Sequence, residues 1–152
     1  MSQERLNALL SRIAADLALE DLPDLLHRGL LNVAGADVQI TQTDADGCRV
    51  LVDLGPVPDG TDETFYRGLL VLSLARAIEG GPVFALHGAS RHVVALLHRP
   101  LESLERDGAL AELFFEEIPQ LLAAWDDDRH GCAAEIGFAF QVPALAAWEV
   151  RP

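Results

Sequence analysis

The sequence predicts an α+β fold in the order α-β-β-β-α-β-β-α, a twisted antiparallel sheet flanked by three helices. Three observations predict it. The chain opens with leucines at helical spacing, alternating apolar segments follow in two groups, and a nearly all-apolar run lies between the groups. That run, Gly68-Leu69-Leu70-Val71-Leu72-Ser73-Leu74-Ala75-Arg76-Ala77-Ile78, leaves almost no polar face. At 152 residues, half of them hydrophobic, the chain is long enough to bury a core as one folded domain.

Taken in order, residues 3–18 place Leu6, Leu9, Leu10, Ile13, Ala14 and Leu17 on one helical stripe, closed by Glu20, Asp21 and Pro23. A short apolar run at Leu30–Val33 precedes Gly35. Val38-Gln39-Ile40-Thr41-Gln42-Thr43 alternates as a half-exposed strand does. Asp44-Ala45-Asp46-Gly47 reads as a hairpin turn, and Val50–Leu54 as the returning strand. Thr61 or Asp62 caps the central helix, which Gly80-Gly81-Pro82 stops. Val83–His87 and His92–His98 form a second hairpin around Gly88-Ala89-Ser90. A last helix carries Leu110, Leu113, Phe114, Leu121, Leu122 and Trp125 on a stripe that Pro119 should kink or split.

A helix that is apolar all round must be covered on more than one side. One sheet covers one side, and a second copy of the chain is the simplest cover for the other. The central helix therefore predicts a homodimer, with Leu69, Leu72 and Ile78 as contact candidates.

The net charge of −13 excludes the usual binders of phosphate backbones and disfavours an anionic membrane surface. The charge is uneven: residues 64–99 hold one acid, Glu79, against Arg67, Arg76, Arg91 and Arg99, and acidic blocks lie on either side. This points to a hidden centre and a solvated periphery. Cys48 and Cys132 lack the spacing of a disulfide framework or a zinc site. No signal peptide and no membrane-spanning run is visible, which predicts a cytoplasmic protein.

Chemistry is hard to find. His92 and His98 share strand parity but stand six residues apart, roughly 20 Å at about 3.3 Å per residue. That is too far to share a metal, and His87 opposite His92 supplies only a pair. Asp126-Asp127-Asp128-Arg129-His130 lacks the alternating ligands and glycine of a calcium loop, and reads as a solvated helix end. Glu116-Glu117 reads as a solvent face and Trp125 as core, while Trp148 could touch a partner. No nucleophile elbow, phosphate loop, dinucleotide fingerprint or zinc-protease motif occurs. The reading is a non-enzyme with no catalytic residues, no metal and no cofactor.

The element order, the Leu-rich helix closed by Gly80-Gly81-Pro82, the hairpin Val83–His87 to Val93–Leu97, and Arg99-Pro100-Leu101 with Leu104 carry a family likeness. Over roughly residues 4–126 the chain resembles the class I type III secretion chaperones (the CesT/Tir-chaperone group), small acidic homodimers of Gram-negative bacteria. The resemblance implies a dimer that binds the N-terminal segment of a secreted effector in extended form and keeps it soluble and export-competent, with the secretion ATPase as a further partner. It implies a dimer interface at Phe65, Leu69, Leu72, Ile78, Val83 and Ala85, and effector binding at Leu6, Leu9, Ile13, Val38 and Ile40. It implies no nucleic acid partner and no membrane insertion. The alternative is a regulatory or scaffolding domain of the same fold that binds a folded partner.

Two features depart from the family pattern, Pro119 and the extension after Asp126. The chain divides into a chaperone-like domain, 1–130, and a C-terminal extension, 131–152. Within the extension, Ile136-Gly137-Phe138-Ala139-Phe140-Gln141-Val142 alternates and reads equally as an extra strand or as disordered chain. As a strand it would be a placeholder on the sheet edge that takes the client.

Overall fold

In the computed structural model, which describes residues 2–16, 28–43 and 46–133, five strands form one antiparallel sheet in the order β1-β2-β3-β5-β4. The strands are β1 (Leu30–Val33), β2 (Ala36–Gln42), β3 (Gly47–Pro56), β4 (Val83–His87) and β5 (His92–Pro100). Helix α1 (Ser2–Asp16) precedes them, and α2 (Glu63–Ile78) joins β3 to β4. After β5 come α3 (Leu101–Glu105), α4 (Ala109–Glu112), a π-helical segment (Leu113–Glu117) and α5 (Ile118–Ala133). The α+β class and the order of strands are those read from the sequence. Leu17, Trp148 and the 136–142 run lie outside the described residues.

Local chemistry sets the turns. Ala34 and Gly35, at φ 51° and 86°, form the two-residue turn between β1 and β2, with both centres in the conformation that a primed turn requires. Gly29 is required by space: a Cβ there would stand 2.1 Å from the Ile40 carbonyl oxygen. The β2–β3 hairpin closes through Thr43 N–H donating to the Gly47 carbonyl at 3.1 Å, although residues 44–45 of its turn are outside the described set. Toward its end β3 shifts register between Asp53 and Pro56, and Asp53 Oδ1 accepts the Gly55 N–H at 2.8 Å.

Helix α2 has both ends specified. Asp62 is the N-cap, accepting the Thr64 N–H at 2.9 Å. At the other end Gly80 is left-handed, and the Gly80 and Gly81 N–H groups donate back to the Ala77 and Arg76 carbonyls, a Schellman closure.

The last predicted helix differs in detail from its reading. It is preceded by α3 and a break at Gly108, and Pro119 neither kinks it alone nor splits it. Instead the backbone widens into the π-helical segment just before the proline, with the Ile118 N–H reaching back to the Leu113 carbonyl. Proline cannot donate to the preceding turn, and the wider turn makes room for its ring. The helix also runs past Trp125 to Ala133, so Asp126–Asp128 lie inside it. Arg129 pairs with Asp126 at 2.6 Å and Arg76 of α2 with Asp128 at 3.0 Å, which offsets the cost of acids near a helix C-terminus.

One core cluster joins all layers. Val38, Ile40, Val50, Val52, Ala95, Leu97 and Phe84 line one face of the sheet, and α1, α2 and the C-terminal helices supply Ile13, Phe65, Leu72, Phe114 and Ile118. Phe84 stacks on Trp125 with ring centroids 5.5 Å apart, fastening β4 to α5. Among the described residues no helix is long and apolar enough to cross a membrane.

Candidate binding surface

Helix α2 packs with one stripe only. Phe65, Leu69, Leu72 and Ser73 are buried. Leu70, Leu74 and Ile78, each four residues from the next, form a second stripe that is 70%, 50% and 57% exposed. Successive helical residues are turned by about 100°, so these three side chains cannot reach the sheet that buries their neighbours. An apolar stripe this exposed on a folded chain marks a contact surface.

The face of the sheet opposite the core carries a second apolar feature. Strand register aligns Leu30, Gln39, Leu51, Leu96 and Val83 in a single row across all five strands. Four of the five are apolar, the two at the ends are exposed and the three between are half-buried. A polar row of Thr41, Arg49 and His98 flanks it on one side; on the other the next row is Asp53, Val94 and Ala85, and the His92–His87 pair lies one row beyond.

Charged side chains are mostly spent on one another. Arg67 pairs with Glu63, Arg76 with Asp128 and Arg99 with Glu117, so three of the four central arginines meet acids. The last two pairs and Phe84, Leu97 and Leu121 line a cavity of about 260 Å³ between α2, the β4–β5 hairpin and α5. Arg5 of α1 grips Glu105 of α3 with two hydrogen bonds of 3.1 and 3.0 Å. That grip holds the Glu105 carboxyl below the usual carboxylate range.

The histidines divide as the strand register dictates. His87 faces His92 across the hairpin, and His92 Nδ1 meets Asp53 at 2.8 Å. Among the described residues no three His, Cys, Asp or Glu side chains converge on one point. Cys48 is buried, and burial pushes its thiol up to about 11, which leaves it a poor nucleophile at neutral pH.

The residues expected from the sequence fall into two groups. Leu6, Leu9, Ile13, Val38 and Ile40, the expected effector contacts, are all at most 4% exposed and pack between α1 and the sheet. Five apolar residues at helical and strand spacing also describe a core face, and here they form one. Of the dimer candidates, Phe65, Leu69 and Leu72 are likewise core, whereas Ile78 and Val83 are exposed and Ala85 is half-buried. The surface residues that were missed are Leu70, Leu74, Leu51 and Leu96. The i, i+4, i+8 spacing within α2 and the second parity of β3 and β5 were the available signals.

No family model and no curated protein matches the sequence. Solved structures do match. The structure of the Yersinia pestis type III secretion chaperone SycH in complex with a stable fragment of YscM2 aligns at 14% identity with a TM-score of 0.52, covering 78% of this chain and 97% of that one. The HopA1–SchA chaperone–effector complex aligns at 15% identity with a TM-score of 0.58, covering 84% and 98%. At these identities the likeness is one of fold: the chain has the fold of these secretion chaperones.

Proposed function

We propose that this chain is a type III secretion chaperone that binds an extended segment of an effector and keeps it soluble and export-competent. The observation that carries the reading is the apolar surface the fold leaves uncovered, the Leu70–Leu74–Ile78 stripe and the Leu30–Leu51–Leu96–Val83 row. The α2 stripe is the contact with a second copy. The sheet row takes alternate apolar side chains of the client, since an extended chain presents one every second residue. The anchors first expected on α1 and β2 are buried, which is why this reading assigns the client to the row. The net charge of −13 keeps such a surface soluble while it is empty. The role involves no chemistry, which fits the inert Cys48 and the paired arginines, and the place of action is the cytoplasm of a Gram-negative bacterium.

The experiment is capture from the native cytosol, light proteolysis and mass spectrometry of the surviving fragments. The expected result is one protected segment from near the N-terminus of a larger, separately encoded protein. Recovery of an intact, protease-resistant partner would replace the chaperone by a scaffolding domain.

A further inference from the structure

The sheet has two edges, and they are not equivalent. An edge strand offers the N–H and C=O of every second residue to any strand that comes beside it. At Phe84 of β4 both groups are already taken, and by one atom. The Phe84 N–H donates to Ser73 Oγ at 3.0 Å, and the same hydroxyl donates to the Phe84 carbonyl at 3.3 Å. These bonds come from α2, so the Phe84 groups point away from β5 and outward from the sheet. Two residues earlier Pro82 has no N–H to offer, and Leu86 is left as a single outward rung.

Ser73 is the one buried polar residue among the described residues, 8% exposed, and it stands alone in an apolar stretch of helix. Alanine would serve the helix and the surrounding packing at least as well. What the hydroxyl adds is the closure of Phe84.

At the opposite edge the arrangement is reversed. The Ile40 N–H donates to the Gly29 carbonyl at 2.8 Å, and the turn pairs Val33 with Ala36, so the odd-numbered residues bond inward to β2. Leu30 and Asn32 therefore turn their backbone groups outward, and no described strand lies beside them.

We propose that the Ser73 hydroxyl locks the β4 edge against strand addition, so that an extended segment taken up by this sheet pairs with β1. The second clause rests on the chaperone reading; the lock does not. The residue is a positioning device, since it directs a partner without touching it.

The test uses the full chain with Ser73→Ala, which removes the hydroxyl, and Ser73→Thr, which keeps it. Ser73→Ala should speed hydrogen exchange of the Phe84 amide about tenfold or more, with Ser73→Thr restoring the slow rate. The alanine variant should also form assemblies larger than those of the parent at equal concentration, because a freed edge templates pairing. Unchanged Phe84 exchange in Ser73→Ala overturns the lock.

A second measurement needs no variant. A synthetic peptide of about ten residues alternating Val and Arg, a strand-forming and basic probe, is added to the parent chain. It should slow exchange at Leu30 and Asn32 and leave Leu86 unchanged. Slowed exchange at Leu86 in the parent overturns the lock. Protection at neither edge overturns the β1 clause and leaves the chaperone reading, which places the client on the sheet face, to the capture experiment, while Phe84 exchange still decides the lock.

Discussion

Helices α1 and α2 are both leucine-rich, and they end in opposite situations. Helix α1 has one apolar stripe, Leu6, Leu9, Leu10, Ile13 and Ala14, and all of it is buried within its own chain. Its other side, with Glu4, Ser11 and Arg12, faces water. Helix α2 is apolar all round, and the sheet and α5 cover only part of it. Leu70, Leu74 and Ile78 are left over. A helix with a single stripe can be satisfied by its own chain. A helix with two stripes needs a partner or a reason to be insoluble, and the acidic surface removes the second option.

The largest effects should come where the two helices are alike. Ile13→Asp and Leu72→Asp each place an unpaired carboxylate at a site no more than 2% exposed. Either should cost roughly 4 kcal/mol or more, comparable to the whole stability of a small domain, and leave a chain without cooperative unfolding in urea monitored by circular dichroism. A well-folded Leu72→Asp chain would erase the distinction between the two faces of α2.

The next effect sharpens the contrast. Leu70→Asp together with Leu74→Asp charges only the exposed stripe and should leave the fold intact. Self-association measured by sedimentation equilibrium should weaken on the order of 100-fold or more, two carboxylates each costing at least about 1.4 kcal/mol when pressed against an apolar partner. Unchanged self-association would place any interface elsewhere on the molecule.

The smallest effect concerns the link from α1 to α3. The Arg5 hydrogen bond holds Glu105 below its usual range, and desolvation opposes that shift. A lowered folded value means stability that is present above the unfolded value and lost as pH falls through the folded one. Glu105→Gln should therefore lower the urea midpoint slightly at neutral pH, slightly because the pair is exposed and screened. The difference should vanish by about pH 2, where the parent carboxyl is protonated as well. A difference that persists in acid would mean that packing, and not the ion pair, joins the two helices.

Much of the fold was legible because its signals are local. The β2–β3 turn, the Gly80-Gly81-Pro82 stop and the Asp62 cap each follow from a few adjacent residues, and the strands alternate with the expected parity. The candidate surface was less legible. Val38 and Leu51 are both apolar strand residues, and the first lies in the core while the second lies on the opposite face. Nothing local separates them, because which parity faces the helices depends on where α1 and α2 cross the sheet. Phe65 and Ile78 pose the same problem on one helix. Pro119 announced a disturbance, but a π-helical segment and a kink answer the same missing N–H, and the residues next to the proline do not choose between them.

By itself, then, the sequence determined the class of the fold, the order of its elements and the existence of a surplus apolar face on the central helix. These rest on periodicity, turn chemistry and the total amount of apolar side chain, which are properties of the chain read in order. Tertiary structure decided which apolar residues are surplus, because exposure is set by contacts between segments far apart in sequence. It also decided what Ser73 does. A hydroxyl in an apolar helix is only an oddity until the helix is laid along β4, where it meets the N–H and C=O of Phe84 at the open side of the strand.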